Sequence, residues 1–117
     1  MAARIGTLAI LRGDGGSSGG LPILSGDTVS VGRGPACAVR IRLQSVPPLA
    51  ARLLAEGTRA FLVNDSTAEC ASLTRGPAAV PLPVGEPVCL LHNDVLTFSS
   101  RAFRFEYGAC LLPRRRP

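Results

Sequence analysis

The sequence predicts an all-β fold, a β-sandwich of about ten to eleven short, mostly antiparallel strands. Three observations carry this expectation. Gly (13) and Pro (10) supply about a fifth of the 117 residues, too much punctuation for long helices. Apolar residues make up 46% and charged ones 18%, a globular composition, while aromatics are only 4% and Trp is absent. The core must therefore rest mainly on Leu, Val and Ala. Finally, alternating apolar runs are broken by polar turns. Val29-Ser30-Val31-Gly32-Arg33-Gly34-Pro35-Ala36-Cys37-Ala38-Val39-Arg40-Ile41 reads as strand, turn, strand, and Leu90 to Phe98 repeats that logic.

The elements follow in order. Arg4 to Arg12 alternates as an opening strand, and Gly13 to Gly20 is Gly/Ser-rich loop. That loop lacks the Lys-Ser/Thr ending of a nucleotide-binding cradle, so it is not read as one. Leu21 to Leu24, Thr28 to Gly32 and Val39 to Leu43 are expected strands, and Gln44 to Pro48 is loop because its two prolines remove ladder donors. Ala50 to Glu56 has helical propensity, but seven residues between a Pro-Pro loop and Gly57 are short for a helix, so a strand is expected, paired through Gly57-Thr58 with Arg59 to Asn64. A polar loop over Asp65 to Ser72 leads to the Arg75-Gly76-Pro77 turn. Ala78 to Leu82, Val88 to Leu91, Val95 to Ser99 and Ala102 to Tyr107 close the sheet.

This length holds one domain, placed at residues 1–108, with 109–117 as a basic Pro/Arg tail or the start of a linker. The net charge is +5, and all thirteen basic residues are Arg. Arg bias reflects either base composition of the coding sequence or a preference for acidic and phosphorylated partners, which Arg engages bidentately. The arginines are scattered apart from Arg114 to Arg116, so no nucleic-acid stripe is expected. Cys37, Cys70, Cys89 and Cys110 lack metal-ligand spacing and accompany a single His, so no metal, no cofactor and four reduced, mostly buried thiols of a cytosolic or nuclear, not secreted, protein are expected. No run suggests a signal peptide or membrane span. With no nucleophile–base pair, no catalytic residues are assigned and an enzyme is not expected.

With Gly32-Arg33 between two strands, and Arg75-Gly76 ahead of Leu91-His92-Asn93-Asp94-Val95-Leu96-Thr97-Phe98, the chain resembles forkhead-associated (FHA) domains from Arg4 to Tyr107. The resemblance implies the FHA/SMAD-like sandwich and phosphothreonine-peptide recognition by its loops. Gly32 to Ile41 and Arg101 to Glu106 are similar to FHA domains of nuclear, cell-cycle proteins that associate with chromosomes, which implies a nuclear location and a protein partner.

Residue by residue, Gly32 and Arg33 match the family signature. The phosphate-binding Ser of the family falls on Pro47, and the buttressing His on Ala50. The loop Ser falls on Ala68, the backbone-gripping Asn on Cys70, and the Asn of Asn-Gly on Arg75. Ser45, Ser66, Thr67 and Ser72 restore hydroxyls only if the loops shift register. Two lost charge-assisted bonds at ~1.5–3 kcal/mol each weaken binding by about a hundredfold to several ten-thousandfold. The candidate phosphopeptide-binding set is thus Arg33, Arg75, Ser45, Ser66, Thr67 and Ser72, with Arg75 expected at the same rim as Arg33.

Simpler roles stand beside these. Arg33 either grips an anion or pairs with an acid across its loop, and Arg75 is either a second anion contact or a solvated turn residue. His92 is a turn histidine, and Asn93 stands where relatives often carry Gly, which suits positive φ. The alternative to phosphopeptide reading is phosphate-independent binding, or a scaffold role, through a sheet edge or apolar face.

Overall fold

The structure, a computed structural model, describes residues 3–13, 16–66 and 71–108. Those residues form eleven strands and no helix. Strands β1 (Arg4–Leu11), β2 (Ser17–Leu24), β11 (Arg101–Tyr107), β10 (Asp94–Phe98), β7 (Ala71–Arg75) and β8 (Ala78–Val80) build a six-stranded sheet in the order β2-β1-β11-β10-β7-β8. The second sheet holds β3 (Thr28–Gly32), β4 (Val39–Arg40), β5 (Ala51–Glu56), β6 (Arg59–Asn64) and β9 (Pro87–Cys89) in the order β4-β3-β5-β6-β9. Every strand pair is antiparallel except β3 with β4.

Period-two burial explains the sandwich. Along β10, Asp94, Leu96 and Phe98 point inward while Val95 and Thr97 alternate outward. β11 does the same with Phe103, Phe105 and Tyr107. Opposite them, Val29, Val31, Leu53, Ala55 and Leu62 line the second sheet, so two apolar faces interlock as one core. Four of the five described aromatics add to the expected aliphatics as edge-on pairs, Phe98 with Phe103 at 6.1 Å and Phe105 with Tyr107 at 4.8 Å between ring centroids.

Ala51–Glu56 is a strand despite its helical residues, because Ala51, Leu53 and Ala55 bury on one face while six register pairs bind it to β6. Asn93 has φ 71°, as its place in the turn demands. Two expectations are corrected. β2 begins at Ser17, inside the stretch read as loop: Gly19 and Gly20 pair with Ile10 and Ala9, since ladder bonds need backbone and no side chain. Only Val39–Arg40 of the expected strand Val39 to Leu43 pairs with β3, after which the chain leaves the edge. Cys37 and Cys89 are free but half-buried, less enclosed than expected. Cys70, Cys110 and residues 109–117 lie outside the described residues.

Candidate functional site

At one end of the sandwich the β3–β4 loop (33–38) is laced to the β4–β5 loop (41–50). The Arg33 N–H donates to the Pro47 carbonyl at 2.9 Å, and the Gly34 N–H to that of Pro48 at 3.0 Å. The Cys37 thiol reaches the same Pro48 oxygen at 3.1 Å. This approach explains the glycines of the Gly32-Arg33-Gly34 stretch. A Cβ on Gly32 would stand 2.3 Å from the Pro48 oxygen, and one on Gly34 at 2.9 Å, so any side chain would push the loops apart. Val46, with 0% exposure, plugs the space beneath, and Ala50 ties the loop to β3 through its N–H to Val31.

Arg33 is half-buried. Its Nε donates to the Val46 carbonyl at 3.0 Å, which fixes the stem of the guanidinium while no carboxylate answers its charge among the described residues. Among the described residues, Arg33 pairs with no acid across the loop. Arg40 stands beside it, its Nε on the Arg33 carbonyl at 3.2 Å. Ser45 is exposed at this end, with its hydroxyl 2.6 Å from that of Ser99 in the β10–β11 turn. In such a pair one O–H is spent on the other oxygen, and the accepting hydroxyl keeps its own proton to give. Two guanidiniums and one hydroxyl donor therefore remain for an anion.

The other candidates separate. Ser66 is buried, its N–H donating to Asn64 Oδ1 at 3.1 Å. Ser72 is exposed on β7, paired in register with Thr97. Thr67, with Ala68 and Cys70, lies outside the described residues. Pro47 offers its carbonyl to the Arg33 N–H, and Ala50 is a buried methyl.

Arg75 is not at the Arg33 rim. Ala71 is the residue of β7 at the loop end, opposite Phe98, and Arg75 closes the strand at the far end, about 13 Å along it. There it grips Asp94 bidentately, Nε to Oδ1 at 2.9 Å and Nη2 to Oδ2 at 2.8 Å, and reaches the Cys89 carbonyl at 3.2 Å. The Asp94 hydrogen bond pushes the Arg75 pKa above its ordinary value, against the opposing effect of desolvation. The expectation of a second cation at the same rim is thereby corrected: Arg75 is a structural clamp.

Sequence reasoning missed Arg40, Ser99 and the Arg52–Asp65 pair, whose Nε–Oδ2 distance is 2.7 Å. Asp65 raises the Arg52 pKa by hydrogen bonding first and by charge second. The Gly-Arg-Gly sequence held a usable signal, since closely spaced glycines before a Pro-Pro loop suggest one backbone passing tightly over another. Among the described residues no three His, Cys, Asp or Glu side chains gather as metal ligands.

This two-sheet sandwich of eleven strands has the fold of FHA domains. The chain is similar to the MEK1 FHA domain, at a TM-score of 0.73 and 16% identity over 90% of this chain and 91% of that one. It is as similar to the FHA domain of the CT664 protein from Chlamydia trachomatis, at 0.73 and 15% identity over 90% and 99%. The MEK1 FHA domain in complex with a HOP1 phosphothreonine peptide gives 0.70 and 16% identity over 91% and 99%. No protein-family model matches the sequence, and neither does any curated protein.

Proposed function

We propose that this chain is a protein-interaction module that recognises phosphothreonine peptides through the β3–β4 and β4–β5 loops, with a grip weaker than that of a full FHA pocket. The observation that carries the proposal is Arg33, held by the Val46 carbonyl and unanswered by any carboxylate among the described residues. An arginine fixed in this way meets a phosphate without spending much side-chain entropy. Arg40 and the Ser45–Ser99 hydroxyl pair supply further donors. The weakness follows from Pro47 and Ala50, which cannot replace a hydroxyl and an imidazole. A dianion stripped of water needs its oxygens re-bonded, so each missing donor is costly.

Fluorescence polarisation with a degenerate phosphothreonine library and its unphosphorylated twin tests this. Phosphate-dependent binding lost in Arg33→Ala supports the proposal; equal binding of both libraries overturns it. The nuclear, cell-cycle setting is proposed only from the likeness of Gly32 to Ile41 and Arg101 to Glu106 to such FHA domains. Imaging a tagged chain tests it, and exclusion from the nucleus would reject it.

A further inference from the structure

A second surface lies between the edges of the two sheets, where β4 ends one and β2 ends the other. The covering edge strand is only two residues long, so it leaves part of the opposite inner face open. Ile10 shows the consequence. It lies on the same face of β1 as Leu8 and opposite Phe103 in register, yet Ile10 is 43% exposed while Leu8 is 1%. A core-facing residue has been left without a cover. The resulting groove has a volume of about 520 Å³, with Ile10, Leu21 and Phe103 in its floor and Arg40, Arg42 and Arg101 around its rim.

Among the described residues the rim has no internal answer to its charge. Arg40 meets only the Arg33 backbone carbonyl, and neither Arg42 nor Arg101 forms an ion pair among the described residues. Three guanidiniums around an apolar floor repel one another and attract carboxylates, while the floor favours a bulky aliphatic side chain. Nucleic acid fits poorly, because Phe103 is 5% exposed and offers no open ring face on which a base could stack.

We propose that this groove docks an unphosphorylated, acidic segment of a partner protein, anchored by one or two leucine-like side chains between its carboxylates. It does not rest on the phosphothreonine reading, although Arg40 borders both sites. The ligand's apolar anchor covers Ile10 and Leu21, and its acids pair with Arg40, Arg42 and Arg101.

The test titrates the isotope-labelled chain with a fluorescein-labelled decapeptide carrying two central leucines among Glu and Asp. One control peptide replaces the acids by Gln and Asn, and another replaces the leucines by Ser. The expected result is amide shifts confined to Gly20–Leu21, Ala38–Arg42 and Arg101–Phe103, with both controls much weaker. Arg42→Glu combined with Arg101→Glu should weaken binding by about tenfold or more. Both side chains are exposed, so the melting curve should not move. Arg33→Ala should bind the decapeptide as well as the parent chain does, which separates this site from the loop site.

Absent binding, equal binding of the serine control, or shifts confined to residues 33–37 and 43–50 would overturn the proposal. So would tighter occupation of the same groove by a uridine oligonucleotide or by phosphatidylserine vesicles.

Discussion

Arg33 and Arg75 each stand beside a glycine at a strand end, and the two ends of the sandwich use them in opposite ways. At the far end the Arg75 guanidinium closes on a carboxylate with 0% exposure, and Asp94 also receives the Leu91 N–H at 2.8 Å. The Tyr107 hydroxyl completes that end, donating to the Leu90 carbonyl at 2.7 Å and accepting the Ala60 N–H at 3.0 Å. At the loop end the Arg33 side chain is held by a backbone carbonyl, and no carboxylate meets its charge among the described residues. Internal satisfaction marks a structural residue, and the fixed, unanswered charge is what the proposed binding role of Arg33 rests on.

Breaking the far end should cost the most stability. Asp94→Ala strips Arg75 and the Leu91 N–H of their acceptor, and should destabilise by about 3 kcal/mol in urea unfolding. Gly32→Ala sets a methyl against the Pro48 carbonyl and should cost about 2 kcal/mol. Unlike the far-end changes, it should also disrupt phosphopeptide binding, because it separates the two loops. Tyr107→Phe leaves a donor and an acceptor unmet and should cost about 1–2 kcal/mol with peptide binding unchanged.

Arg33→Ala should reverse the pattern, with a change below about 0.5 kcal/mol in unfolding but loss of phosphate-dependent binding. The smallest expected effect concerns pH. Folding raises the Arg75 pKa, so its contribution is present below the unfolded value and fades only as pH climbs through the folded one. That window lies in strong alkali, so the cost of Arg75→Leu should stay constant from roughly pH 7 to pH 10.

The strands were legible wherever alternation was strong. Arg59–Asn64 matches its expected bounds, and Ala51–Glu56 obeyed its flanking turns over its helical propensity. β2 was obscured because a Gly/Ser run has no side-chain pattern, and its pairing is imposed by the neighbouring β1. At the site, Arg33 was legible from Gly-Arg at a strand end, whereas the place of Arg75 was not. Its partner lies 19 residues away, and only the pairing of β7 with β10, which sets Thr74 against Val95, brings Arg75 beside Asp94. Ser99 gave no signal either: its φ of 58° is unusual for serine, and its hydroxyl meets Ser45 across 54 residues.

The most direct test of the loop-end reading is phosphothreonine-library binding by fluorescence polarisation, run on the parent chain, Arg33→Ala and Arg75→Ala under conditions where all three are folded. The account predicts weak, phosphate-dependent binding that Arg33→Ala abolishes and Arg75→Ala leaves intact. Binding that ignores the phosphate, or that depends on Arg75 while surviving the loss of Arg33, would contradict it.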